Sequence, residues 1–121
     1  MYLKNIKLSN FKSYSEIEVE FSHNINCLVG NNGVGKTNLL DAIYYLSFSK
    51  SYFNSLDNQN IKYNESYFAI HGNYIFSEQS EIQQFSCIQK RGQSKQIKHN
   101  KKLYSRISDH IGKIPLVMVS P

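Results

Sequence analysis

Cysteine is scarce in this chain, with only Cys27 and Cys87 in 121 residues. They form no C-x-x-C pair, and the histidines (His23, His71, His99, His110) have no i, i+4 spacing, so the pattern of a zinc site is missing. Both cysteines are expected as small core residues. Long apolar runs are missing too. None approaches the roughly 20 residues of a membrane span. Met1-Tyr2-Leu3-Lys4-Asn5 alternates polar and apolar residues without a signal-peptide core. A cytoplasmic protein with no membrane partner is expected. Acidic residues run out along the chain. Residues 1–81 carry a net charge of −2, whereas residues 82–121 hold one acid, Asp109, and carry +7.

What is present centres on Gly30-Asn31-Asn32-Gly33-Val34-Gly35-Lys36-Thr37. These residues fit G-x-x-x-x-G-K-[ST], a phosphate-binding loop. The apolar run Ile25 to Val29 before it reads as a buried strand. Asn38 to Leu46 after it reads as a helix with Leu39, Ile43 and Leu46 on one face. Glycines permit backbone angles that let successive N–H groups turn inward around an anion. The helix that starts near Gly35 adds its positive end. Lys36 is placed to reach the β- and γ-phosphates, and the Thr37 hydroxyl can ligate Mg²⁺. A nucleoside triphosphate, ATP with Mg²⁺, is the expected cofactor.

Around this loop the chain reads as strands. Residues 2–8 form the first, broken by Ser9 to Ser13. Residues 14–21 alternate, with Ile17, Val19 and Phe21 opposite Glu16, Glu18 and Glu20. Ser55 to Asn60 reads as an exposed connection and Tyr67 to Phe76 as a strand. Ser77 to Ser80 reads as a turn. Ile82 to Lys90 and Lys95 to Leu103 read as a hairpin. Tyr104 to Ile111 suggests a short helix ended by Gly112, and Ile114 to Val119 a last buried strand. The class is α/β with one major helix and many strands in series, which argues against a small kinase of alternating β-α units.

The hairpin is basic. Lys90, Arg91, Lys95, Lys98, Lys101, Lys102 and Arg106 fall between Ile82 and Ser108 with no acid among them. Such residues can neutralise nucleic-acid phosphates, or simply decorate a solvated hairpin and protect its edges. Tyr104 and Phe85 are the only aromatics nearby in sequence, which gives poor support for base stacking.

Hydrolysis needs a carboxylate after an apolar strand to order Mg²⁺ and water. The late apolar run ends Val119-Ser120-Pro121 without one, and Asn100-Lys101-Lys102 continues into Leu103, not into a guanine-reading acid. The chain is therefore expected to hold half of a nucleotide machine, able to bind ATP weakly but not to turn it over alone.

Several stretches together resemble one family. These are Leu8-Ser9-Asn10-Phe11-Lys12-Ser13-Tyr14, the loop continued through Asn38-Leu39-Leu40-Asp41-Ala42-Ile43, Ser49-Lys50-Ser51-Tyr52, Ala69-Ile70-His71-Gly72 and Ile114 to Pro121. They look like the start of the bacterial RecF recombination family, and more broadly like SMC-type heads of the ABC ATPase superfamily. The resemblance implies a P-loop NTPase fold, the first lobe of an ABC-type head with a mixed or antiparallel sheet around the P-loop helix. It implies that residues 1–121 are an N-terminal ATP-binding lobe, cut before an arm domain, a signature motif and an acidic strand. It implies an ATP-dependent homodimer on single-stranded, gapped or junction DNA, with recombination mediator proteins as partners. The family commonly has arginine at the position of Lys12, near adenine or phosphates. Lysine keeps the charge and loses the bidentate contact. No nucleotide role carries over to Tyr52, Phe53 or Asn54, where the family often has an aromatic and then arginine. Another SMC-like chromosome-maintenance head is the alternative.

Overall fold

In the computed structural model, which describes residues 1–22, 33–77, 81–114 and 116, the chain opens with an antiparallel pair, β1 (Tyr2–Phe11) and β2 (Tyr14–Glu20). Ile17 and Val19 of β2 are half-buried while Glu16, Glu18 and Glu20 are exposed, as the alternation predicts. β1 outlasts the expected strand over residues 2–8. Asn10 takes a left-handed φ of 53° while the pairing with β2 keeps its register from Asn5 to Phe11, and Leu8 and Phe11 are both buried. Asparagine tolerates that conformation better than most residues. The end of β1 is then secured from outside the pair: Lys62 N–H donates to Asn10 O, and Lys12 N–H to Asn60 O, both at 2.8 Å.

The helix α1 (Gly33–Phe48) follows. Asn38, Leu39, Asp41, Ala42, Tyr45 and Leu46 are buried at three- and four-residue intervals, the stripe a helix turns toward a sheet. β3 (Tyr67–Ile75) pairs with β1, β4 (Gln83–Lys90) with β3, β5 (Gln96–His99) with β4, and β6 (Lys102–Leu103) with β5. All these pairings are antiparallel, and the sheet order is β2-β1-β3-β4-β5-β6.

The core lies between α1 and one sheet face. Ile6, Gly72 and Phe85 occupy one cross-strand row. A Cβ on Gly72 would lie 2.5 Å from Leu46 Cδ1, so the missing side chain lets the helix settle close. Phe11, Tyr45 and Phe68 meet edge-on, with centroids 5.7, 5.2 and 5.3 Å apart. All three are fully buried, and burial of such rings contributes roughly 1.5–3 kcal/mol each.

Three expectations need correction. Ser55 to Asn60 is no plain exposed connection: Asp57–Asn60 is a 3₁₀ turn with Asn60 buried, because its amide donates to the Tyr45 hydroxyl at 2.8 Å. The second hairpin arm is not continuous, since Asn100 and Lys101 have φ of 50° and 69° and turn the chain between β5 and β6. Residues 104–111 form only a 3₁₀ turn, Ile107–Asp109, and Gly112 follows at φ 91°. The expected strand at 25–29, Cys27, His23 and most of Ser77 to Ser80 and of 114–119 lie outside the described residues. Cys87 is fully buried in β4, and burial pushes its thiol up to about 12, which leaves it inert at neutral pH.

His110 ties the segment after β6 to the helix. Its buried ring donates Nε2–H to the Leu46 carbonyl, and Nδ1 has no partner among the described residues. A carbonyl can only accept, so Nε2 carries a proton, and the buried Nδ1 without a described partner favours the neutral ring. Burial, helped by Lys113 and His99, holds its pKa below the usual histidine value, against the bond to Leu46 that raises it. A depressed pKa means that the unfolded chain binds the proton more readily. The stability is present above about pH 6.5 and is lost as pH falls through the lower folded value. Urea unfolding at stepped pH values should show stability falling below about pH 6.5 with a slope of up to about 1.4 kcal/mol per pH unit from this group. His110→Gln, which can still donate to Leu46 O, should flatten that part of the profile.

Candidate nucleotide-binding site

α1 begins inside the loop motif, so Gly33, Val34, Gly35, Lys36 and Thr37 form its first turns. Gly30, Asn31 and Asn32 lie outside the described residues. Lys36 is half-buried and Thr37 exposed. No acidic side chain stands in the first turn, so nothing there opposes the positive end of the helix dipole. Such an end can hold an anion.

The helix start is pinned by the β1–β2 turn. Tyr14 donates its hydroxyl to Gly35 O at 2.6 Å. Asn38 Nδ2 donates to Ser13 Oγ at 3.1 Å. Lys12, with a left-handed φ of 52°, places its Nζ 2.7 Å from Asp41 Oδ2, where the Lys12 side chain is 17% exposed and the Asp41 side chain 0%.

Asp41 is the residue that sequence reading noticed only as part of a motif. Its carboxylate also accepts from Ser51 Oγ at 2.5 Å and from the Tyr52 backbone N–H at 2.7 Å. Ser51 Oγ in turn accepts from the Phe53 and Asn54 N–H groups at 3.1 and 3.0 Å. One buried acid thus joins the P-loop helix, the β1–β2 turn and the segment after the helix. The available signal was an aspartate on the inward face of an amphipathic helix, which demands a cation and donors. The resemblance puts Lys12 near adenine or phosphates. The structure gives Lys12 to Asp41 and sets its ammonium 5.5 Å from the centroids of both Phe11 and Phe53. Lys12 still lines a groove of about 580 Å³ with Asn54, Asn58, Ile61, Tyr63 and Arg91.

A second buried network sits farther along α1. The Tyr45 hydroxyl donates to Asp57 Oδ1 at 2.5 Å, and Lys95 Nζ lies 2.8 Å from Asp57 Oδ2. Burial first, and then Asp57, raises the Tyr45 pKa, so the phenol stays protonated.

The basic hairpin does not form one patch. Lys95 is 12% exposed and paired with Asp57 on the helix side. Lys98 stands across from Ser86 in the row that includes His71 and Lys7, and lines a polar groove with them on the other sheet face. Lys90 and Arg91 lie at one end of β5, and Lys101 and Lys102 at the other, separated by four residues of strand, or about 13 Å. The expected poverty of aromatics is corrected by the pairing: Tyr67 lies directly across from Lys90, although 23 positions separate them in sequence.

Residues 1–117 match the family described as AAA ATPase domain. The DNA replication and repair protein RecF of Phocaeicola vulgatus is 54% identical over 121 residues, and the chain spans 32% of its length. The solved structure of the recombination mediator protein RecF-ATP in the RecFOR pathway has a TM-score of 0.90 at 31% identity, over 99% of this chain and 33% of that one. The SMC head domain from Thermotoga maritima has a TM-score of 0.70 at 25% identity, over 90% of this chain and 40% of that one. The fold is accordingly that of the first lobe of a P-loop NTPase head. With its glycine motif opening a helix on an antiparallel sheet, and with that match over 1–117, the chain belongs to the AAA ATPase domain family and within it resembles the RecF proteins.

Proposed function

We propose that this chain is the ATP-binding lobe of a RecF-type protein of DNA replication and recombinational repair. The observation that carries the reading is the start of α1 at the glycine motif, pinned by Tyr14 and Asn38 with no acid in its first turn. Gly30 to Thr37 hold the phosphates, Lys36 balances the β- and γ-phosphate charge, and Thr37 offers its hydroxyl to Mg²⁺. Lys12 stands near the adenine or the phosphates, as the resemblance implies. When bound, ATP supplies the charge that draws two such heads together on DNA.

In this reading the intact protein extends beyond residue 121, as its relatives do, and acts in the cytoplasm. It forms an ATP-dependent homodimer on single-stranded, gapped or junction DNA and works with recombination mediator proteins. It hydrolyses ATP slowly. Residues 1–121 alone do not, because residues 82–121 offer one acid, Asp109, which lies in the 3₁₀ turn. The identity to RecF, 54% against 25% for the SMC head, favours RecF over another SMC-like protein. Velocity sedimentation of the intact protein with gapped DNA tests this. Mg-ATP should produce a DNA-bound dimer that Lys36→Ala cannot form. A dimer on DNA that is indifferent to ATP would overturn the switch.

A further inference from the structure

At the end of the sheet where β3 meets β4, the backbone brings two tyrosines to two cations. Tyr67 is the cross-strand partner of Lys90, and the Arg91 N–H donates to Ser66 O at 2.8 Å. The Arg91 guanidinium donates Nε–H and Nη2–H to Glu65 O at 3.2 and 3.0 Å. This fixes the plane of the guanidinium without neutralising its charge. No carboxylate among the described residues lies within ion-pair distance of Lys90 or Arg91, although Glu65 also lines the site. Tyr63 is 86% exposed and Tyr67 39%. With Lys90, Arg91 and Gln93 they line an open recess of about 710 Å³. Tyr63 and Arg91 also border the groove that ends at Lys12.

Exposed rings beside unneutralised cations are the two components of a single-strand contact. A π-face accepts any base, and the cations track the backbone phosphates. A double helix keeps its bases stacked and offers the rings nothing. We propose that this recess holds unpaired nucleic acid, with a base stacked on Tyr63 and adjacent phosphates on Lys90 and Arg91. The proposal rests on the DNA-binding reading above and narrows it to a place and a strand state.

The test uses the intact protein and fluorescence anisotropy with oligo(dT) and with a blunt duplex. Tyr63→Ala changes an exposed side chain and should leave folding intact. It should weaken oligo(dT) binding about 5- to 100-fold and leave duplex binding unchanged. Arg91→Gln should weaken oligo(dT) binding and lower its salt dependence by about one phosphate. Four results would overturn the proposal: Tyr63→Ala binding oligo(dT) like the wild type, equal losses on single strand and duplex, a loss confined to Mg-ATP affinity, or an unchanged salt slope in Arg91→Gln. Wild-type protein that binds no DNA at all would overturn the broader DNA reading along with it. DNA binding that is blind to Tyr63 would overturn this inference alone.

Discussion

Asp41→Ala is expected to destabilise the fold by about 3–5 kcal/mol, the usual cost of removing one partner from a buried ion pair. The Lys12 ammonium would be left with the rings of Phe11 and Phe53 for company. Ser51 Oγ and the Tyr52 N–H would lose their acceptor. Both halves of that loss come from stranded polar groups rather than from a cavity. Urea unfolding followed by circular dichroism measures it, as a lowered midpoint at unchanged slope. The apolar pair Lys12→Met with Asp41→Leu should recover much of the loss, since neither charge is then stranded, giving a coupling energy of about 0.5–3 kcal/mol. If the double variant lost the sum of the two single losses, the ion pair would be no unit. The site should suffer with the fold, because the Asp41–Lys12 pair joins the Tyr14 and Asn38 hydrogen bonds in tying α1 to the β1–β2 turn.

Lys36→Ala is expected to cost about 10- to 100-fold in Mg-ATP affinity. A hydrogen bond to a charged group is worth roughly 1.5–3 kcal/mol, and every 1.4 kcal/mol is about tenfold. The lysine sits near the start of a helix held by two hydrogen bonds, one donated by Tyr14 of β2 and one donated by Asn38 to Ser13 of the β1–β2 turn. Its ammonium is thus delivered by a rigid element, and alanine is a good helix residue there. The loss should therefore appear in Mg-ATP binding while the helix is retained.

Local patterns carried much of this structure. The glycine motif and the apolar stripe placed α1, and strict alternation placed β2 and its solvated glutamates. The resemblance in the stretches around Lys12, the loop and Ala69 to Gly72 named the family. Contacts between distant residues were not legible. Asp41 reads as an ordinary helix acid until Lys12, 29 positions earlier, is folded onto it. Asn60 reads as a loop residue until the Tyr45 hydroxyl meets it. Lys95 reads as one of seven free cations, yet Asp57 claims it. The basic run looks like one patch in sequence because adjacency along a strand hides the alternation of faces and the length of β5. Tyr67 and Lys90 become neighbours only through the β3–β4 register.

Nucleotide binding through the glycine motif is tested most directly by calorimetric titration of Mg-ATP into the intact protein and its Lys36→Ala variant. Saturable binding by the wild type, weakened at least tenfold in a variant of unchanged circular dichroism, is the expected result. A folded variant that binds Mg-ATP as tightly as the wild type would contradict it, and so would a folded wild type that binds none.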